Sequence, residues 1–296
     1  MNEPQLNFID CPDAAGGHRM AYWQWGDAAA PHVVLCVHGL SRQGRDFDVL
    51  AQALCAAGGP GLRVVCPDVA GRGRSDWLKN PAQYQVPQYA ADMVALIGHL
   101  RPATLDWVGT SMGGLIGIAL AGQPKLPFKL RRLVLNDVGP MLQWQALQRI
   151  GNYLGETGHF DSLEQAADAM WLISSTFGPH TREQWLALSR HMIRPLEGGG
   201  FTLHYDPAIA QPFGTLTKEA VAADEVKLWH LYDRIRIPTL LLRGAQSDLL
   251  TPETAKAMTQ RGPKARLVEF AGVGHAPTLV ADDQVRAVCN FLLTAE

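Results

Sequence analysis

One stretch limits what this chain can fold into more than any other: Leu105-Asp106-Trp107-Val108-Gly109-Thr110-Ser111-Met112-Gly113-Gly114-Leu115-Ile116-Gly117. The apolar residues up to Gly109 read as a buried strand, and a helical run starts after Ser111. Between them lies Gly-x-Ser-x-Gly. Small residues on either side of the serine let the strand and helix backbones pass close together. A serine on so sharp a turn is pushed outward at the carboxyl edge of a sheet. The helix behind it points its amino end at the serine, where unpaired N–H groups and the helix dipole favour developing negative charge. Acyl transfer by a serine nucleophile needs that combination. Although the chain has 29 glycines in 296 residues, simple frequency produces the pattern only roughly 0.08 times per chain. A glycine-rich turn that merely closes a strand–helix unit is the weaker reading.

The flanking sequence repeats the alternation. Residues 6–9 and 19–25 alternate apolar and polar and end in Gly26-Asp27, which predicts an opening antiparallel pair. The continuous apolar run at 32–37 predicts a strand buried on both faces of a parallel sheet, with 62–66 as the next buried strand and 130–136 as another. Residues 46–57 and 86–100 have helical spacing. From 140 to 233 the alternation stops. Helical runs at 142–154, 162–176, 181–193 and 220–232 follow one another without a buried strand, interrupted by Gly198-Gly199-Gly200 and by residues 201–213. Strands at 237–242 and 267–270 and helices at 252–260 and 283–293 then resume the pattern. This order predicts an α/β chain with a mostly parallel eight-stranded sheet covered by helices on both faces. Residues 1–139 and 234–296 would form its core, and 140–233 an inserted helical cap. Ligands of such sheets lie outside the carboxyl ends of the strands.

Several residues with useful chemistry fall at that edge. A serine hydroxyl is too weakly acidic to attack an ester unaided, so a histidine must take its proton and an acid must orient the histidine. His275 stands in Gly272-Val273-Gly274-His275-Ala276-Pro277, just beyond the last strand, and is the expected base. Asp248, in the loop between the strand at 237–242 and Pro252, is the expected acid, because the order Ser111, Asp248, His275 is the one this arrangement uses. Its competitor is Asp137, at the end of the strand at 130–136, whose expected task is to tie down the loop entering the cap. A tetrahedral intermediate needs two backbone donors. The N–H of Met112, next to the serine, is one, and the N–H of Leu40 in His38-Gly39-Leu40 is the other. His38 then shapes its loop rather than acting as a base. Arg42 is a candidate for holding a substrate carboxylate, against the plainer reading that it pairs with Asp46 or Asp48. Trp144, Trp171, Trp185, Trp229, Met170 and Phe177 make the cap rich in large apolar groups. They are expected first to pack the cap and partly to line a pocket for an apolar acyl or alcohol portion.

With these motifs in place the chain resembles the serine hydrolases of the α/β-hydrolase superfamily, in the branch of capped esterases, lactonases and carbon–carbon hydrolases. The resemblance rests on His38-Gly39, the turn from Asp68 to Ser75, Gly109-Thr110-Ser111-Met112-Gly113-Gly114, Asp248 and Gly274-His275, and it runs over nearly the whole chain. It implies a helical cap over the active site and a route through an acyl-enzyme without a cofactor. Dehalogenating members carry aspartate where this chain has Ser111. Members that cleave ring-fission products commonly carry tryptophan directly after the histidine, where this chain has Ala276-Pro277. The leading expectation is hydrolysis of a small-molecule carboxylic ester or lactone. The alternatives are carbon–carbon hydrolysis of a ring-fission product and, from a different class, a non-catalytic ligand receptor on the same fold.

Composition removes other classes. A formal net charge of -2 gives no electrostatic footprint for nucleic acid or an anionic membrane. The first 17 residues lack the apolar core of a signal peptide, and no apolar run approaches the ~20 residues that span a bilayer. Five scattered cysteines, Cys11, Cys36, Cys55, Cys66 and Cys289, form no disulfide framework and fit a reducing cytoplasm. No His, Cys, Asp or Glu cluster has metal-ligand spacing along the chain, and no glycine-rich loop has a nucleotide-binding pattern, so neither metal nor cofactor is expected.

Overall fold

A computed structural model describes residues 3–294. Its centre is an eight-stranded sheet. The strands are β1 (Gln5–Cys11), β2 (His18–Trp25), β3 (His32–Val37), β4 (Leu62–Pro67), β5 (Thr104–Thr110), β6 (Leu130–Asn136), β9 (Thr239–Gly244) and β10 (Arg266–Phe270). The short strands β7 (Ile193–Pro195) and β8 (Phe201–Leu203) form a separate two-stranded sheet. The large sheet runs in the order β1-β2-β4-β3-β5-β6-β9-β10. β2 is antiparallel to both β1 and β4, and every pairing from β4 to β10 is parallel.

The apolar runs are continuous because each strand is covered twice. Along β3, Val33, Leu35 and Val37 enter one core while Val34 and Cys36 enter the other, the period-two alternation of a pleated strand with both faces buried. The first core receives Tyr89, Met93, Leu96 and Ile97 from α2 (Val86–Leu100) and Ile116, Ile118 and Leu120 from α3 (Met112–Ala121). The second receives Leu50 and Leu54 from α1 (Asp48–Gly58) and Val288 and Leu292 from α10 (Asp282–Leu293). Such fully buried aliphatic side chains each contribute about 1.5–3 kcal/mol.

Between β6 and its parallel neighbour β9 the chain forms α4 (Trp144–Gly151), α5 (Leu163–Ser174), α6 (Arg182–Arg190), α7 (Gln211–Gly214) and α8 (Lys218–Tyr232). Ser162 and Thr181 cap α5 and α6 by accepting from the backbone at Gln165 and Gln184, as short hydroxyl side chains do at helix starts. The β7–β8 hairpin lies where Gly198-Gly199-Gly200 and residues 201–213 interrupt the helical runs, and the sequence did not show it as strands. Two three-residue strands are too short to show a period, and Gly198-Gly199-Gly200 marks the turn between them. α9 (Pro252–Met258) follows β9 and starts at a proline, where the missing N–H is harmless.

Candidate active site

Ser111 sits between β5 and α3 with φ 51° and ψ −114°, a backbone state that a side chain strains to adopt and that is found at functional sites. Two glycines make the turn possible. A Cβ on Gly113 would overlap the carbonyl oxygen of Val37, and one on Gly109 would overlap Gly113 itself. The Ser111 N–H donates to the Asn136 carbonyl (3.0 Å). The Asn136 amide in turn donates to Thr110 Oγ1 (3.0 Å) and to the Pro277 carbonyl (2.8 Å). Asn136 thereby ties the serine turn to the loop that carries His275.

His275 Nε2 lies 3.0 Å from Ser111 Oγ, so the serine hydroxyl can donate to it. On the other side of the ring, Nδ1 donates to Asp137 Oδ2 at 2.7 Å. This corrects the expected acid. The side-chain partners of His275 are Asp137 and Ser111, whereas the Asp248 carboxylate takes a two-pronged pair from Arg149, Nε to Oδ2 at 2.9 Å and Nη2 to Oδ1 at 3.0 Å, on the surface. The physical reason is local. Asp137 follows β6 directly, has a positive φ of 56°, and is fully buried, so its side chain turns under the imidazole. Asp248 lies in the loop beyond β9, and its side chain is half exposed.

Two further groups hold the Asp137 carboxylate. The Gly244 N–H donates to Oδ1 (2.9 Å), and the Ser247 hydroxyl donates to Oδ2 (2.7 Å). Ser247 was not singled out from the sequence, where a serine one position before Asp248 carries no signal of its own. The loop expected to supply the acid supplies instead a hydrogen bond to it.

Met112 is the first residue of α3, so its N–H stands outside the helix's i→i−4 ladder and beside the serine. Leu40 lines the same cavity as Ser111 and His275. Its loop is fixed by His38, whose Nδ1 donates to the Gly39 carbonyl (2.7 Å) and whose Nε2 accepts from the Val69 N–H (2.9 Å). Those bonds require the neutral ring, and complete burial pushes the His38 pKa down to about 3. His38 is therefore a loop-shaping group. Beneath the loop lies Arg72, fully buried, with Nε donating to the Leu40 carbonyl (2.8 Å), Nη1 to the Ala70 carbonyl and the Tyr89 hydroxyl, and Nη2 against Met112 Sδ (3.6 Å). Arg72 lies within the turn from Asp68 to Ser75 and touches both Leu40 and Met112.

The cavity above Ser111 is about 330 Å³ and mostly apolar, with Phe160, Met170, Ile173, Phe177, Leu188 and Met192 facing it from the segment between β6 and β9. Met170 and Phe177 therefore line it as well as packing their own segment. Trp144, Trp171, Trp185 and Trp229 do not line it. Trp171 and Trp185 stack edge-on at 5.0 Å within that segment, and Trp185 Nε1 donates to the Ala167 carbonyl. Arg42 lines the cavity, but its guanidinium is paired to Asp46 through Nε (2.6 Å) and Nη2 (2.7 Å). That pairing is the plainer of the two readings of Arg42, and it engages the guanidinium that the other reading would give to a substrate carboxylate. Burial raises the Asp46 carboxyl pKa, against the pull of Arg42.

Sheet, serine turn and histidine loop together define a class. The sequence profile of the alpha/beta hydrolase family matches residues 34–288, and the chain belongs to that family and is a hydrolase. Over 295 residues it is 50% identical to the 3-hydroxybutyrate-oligomer hydrolase of Cupriavidus necator, with 99% of each chain covered. An alpha/beta hydrolase from Novosphingobium aromaticivorans superposes with a TM-score of 0.85 at 34% identity over 99% of both chains. The thioesterase domain from the curacin biosynthetic pathway superposes with a TM-score of 0.74 at 25% identity, covering 99% of this chain and 100% of that one.

Proposed function

We propose that this enzyme hydrolyses ester bonds in short oligomers of 3-hydroxybutyrate through an acyl-enzyme on Ser111. One observation carries the chemistry: the unbroken chain Ser111 Oγ, His275 Nε2, His275 Nδ1, Asp137 Oδ2, at 3.0 and 2.7 Å, opening into an apolar cavity. Similarity to the Cupriavidus enzyme over the full length supports the substrate class. An oligomer of 3-hydroxybutyrate is a run of ester carbonyls separated by methyl and methylene groups, with no N–H to satisfy. Apolar walls of phenylalanine, leucine and methionine suit it.

Ser111 Oγ attacks the ester carbonyl while His275 Nε2 takes its proton. The buried Asp137 carboxylate keeps Nδ1 protonated and stabilises the imidazolium that forms. Negative charge on the carbonyl oxygen meets the N–H groups of Leu40 and Met112, reinforced by the amino end of α3. His275 returns its proton to the departing alkoxide, releasing the alcohol end of the oligomer. Water, deprotonated by His275, then attacks the acyl-enzyme and frees the acid. Residues 140–233 act in this reading as a lid whose inner face shapes the acyl and alcohol sites. A cytoplasmic site of action fits the five free cysteine thiols. Among the described residues no helix is long and apolar enough to cross a membrane.

The test is turnover of the 3-hydroxybutyrate dimer and trimer beside a p-nitrophenyl ester series, acetate to decanoate, and a ring-fission dienoate. Release of 3-hydroxybutyrate by the wild type and not by Ser111→Ala is the expected result. Turnover of the dienoate with the esters untouched would transfer the assignment to carbon–carbon hydrolysis.

A further inference from the structure

At the turn end of the β1–β2 hairpin three metal-ligating side chains converge that are scattered in sequence. Cys11 ends β1, His18 begins β2, and the two are direct cross-strand partners, so their side chains emerge on one face. Asp92 rises from α2 beneath them, 74 positions beyond His18. Cys11 Sγ, a His18 ring nitrogen and an Asp92 oxygen all lie within 4.8 Å of one another, and all three residues are buried. We propose that Cys11, His18 and Asp92 form a binding site for a zinc-like divalent cation that clamps the β1–β2 hairpin to α2.

The surroundings are organised as a metal site requires. His18 Nε2 faces Asp92 Oδ2 at 3.2 Å, while Nδ1 faces Asp13 Oδ2 at 3.0 Å. A carboxylate behind the far ring nitrogen is the usual way a metal-binding imidazole is aimed and its tautomer fixed. Asp13 is itself held, its Oδ1 accepting from the Ala15 and Gly17 N–H groups at 2.7 and 2.9 Å. Asp92 Oδ1 accepts from the Gln88 amide (2.8 Å), which also donates to the Pro12 carbonyl (2.9 Å). Asp13 Oδ1 and Asp92 Oδ1 are thus occupied, while Asp92 Oδ2 faces His18 Nε2.

Four-coordinate zinc with bonds of about 2.0–2.3 Å separates neighbouring ligand atoms by roughly 3.3–3.7 Å. His18 Nε2 and Asp92 Oδ2, at 3.2 Å, are already near that spacing, and a ligand set that lies within 4.8 Å closes onto it by a shift of about an ångström. A surface depression lined by Asp10, Cys11, Asp13, His18 and Asp76 lies beside two of the three ligand residues and gives an approach from solvent. One thiolate, one imidazole and one carboxylate select zinc over magnesium or calcium, which prefer all-oxygen shells.

Protons balance in the exchange. Without metal, one proton lies between His18 and Asp92 and another is on the Cys11 sulfur. The dication displaces both to solvent, leaving the net charge of the buried cluster unchanged. Sequence spacing hides the site, because the third ligand arrives only when α2 packs under the hairpin.

The experiment is titration of the chelator-treated full-length protein with Co²⁺, followed by Zn²⁺. Expected are one equivalent of Co²⁺ with a thiolate-to-cobalt charge-transfer band and intense tetrahedral d–d bands, about two protons released per metal, and loss of the spectrum when Zn²⁺ is added. Cys11→Ser should abolish the charge-transfer band, while Cys55→Ala and Cys289→Ala keep it. Asp92→Asn, checked for folding by near-ultraviolet circular dichroism, should weaken Co²⁺ binding at least tenfold. A folded wild-type protein that binds no stoichiometric Co²⁺, or a band that survives Cys11→Ser, overturns the site. Neither outcome bears on the ester chemistry at Ser111.

Discussion

Replacing Asp137 by asparagine removes a negative charge and forces a choice that the site cannot satisfy. Asp137 Oδ2 accepts from His275 Nδ1 and from the Ser247 hydroxyl, each at 2.7 Å, and Oδ1 accepts from the Gly244 N–H at 2.9 Å. An amide nitrogen at the Oδ1 position meets the Gly244 N–H head-on. Turned the other way, it donates to His275 Nδ1, which moves the ring proton to Nε2 and leaves no base for Ser111. Loss of the correct tautomer and of the charge behind the imidazolium lowers kcat by about 10⁴-fold, or about 5 kcal/mol of transition-state stabilisation. Asp248→Asn serves as the contrast. It weakens a pair whose side chains are 41% and 50% exposed, worth about 0.2–1 kcal/mol of stability, and leaves kcat within about twofold. The assay is steady-state hydrolysis of p-nitrophenyl butyrate and of the 3-hydroxybutyrate dimer, with Tm measured on both variants. Asp248→Asn falling as far as Asp137→Asn in folded protein would refute the assignment, as would an Asp137→Asn enzyme of near wild-type kcat.

Three more outcomes follow from contacts already described. Arg72→Met, which keeps bulk but removes the donors to the Leu40 and Ala70 carbonyls, should lower kcat about 10–100-fold by loosening the oxyanion loop, a fraction of what loss of a whole donor costs; a larger change in KM than in kcat would contradict this. Gly113→Ala should destabilise by about 3 kcal/mol, since its methyl overlaps the Val37 carbonyl oxygen, and an unchanged denaturant midpoint would count against the close strand–helix passage. His38, with its pKa lowered to about 3 in the fold, contributes stability that is fully present above pH ~6.5 and is lost as pH falls toward about 3, up to about 5 kcal/mol. His191 and His204, pushed down to about 4 by burial, add to the same slope. Urea midpoints measured from pH 7 to pH 4 should fall steadily and fall less steeply in His38→Asn; a flat profile would refute the buried neutral ring.

The strands were legible because burial on both faces leaves a plain trace. Residues 32–37, 62–67 and 130–136 carry apolar stretches, Val33–Val37, Val64–Cys66 and Leu133–Leu135, and each is a strand within a residue of its expected bounds. The serine turn was legible because close backbone passage demands Gly109 and Gly113. The acid was not. Asp137 and Asp248 both follow strands that end at the same edge, β6 and β9 being direct neighbours, so chain order cannot separate them. The difference lies in a positive φ at Asp137 and in Arg149, on a helix 99 positions before Asp248, drawing that side chain outward. The fate of Arg42 was hidden for a similar reason: a guanidinium four residues before an aspartate can serve a ligand or the aspartate, and only the fold of the short helical turn at Gly44–Phe47 decides. The β7–β8 hairpin depends on pairing between segments too short to carry a pattern.

The central claim is that Ser111 is a nucleophile activated by His275 and Asp137, and covalent capture tests it most directly. Full-length protein is treated with a fluorophosphonate probe and digested, and the modified peptide is mapped by mass spectrometry, with Ser111→Ala, His275→Ala and Asp137→Asn in parallel. The account predicts one adduct, on Ser111, forming orders of magnitude more slowly in His275→Ala and Asp137→Asn and absent in Ser111→Ala. A folded wild-type protein that takes no label at Ser111, or labels there at the same rate without His275, would contradict it.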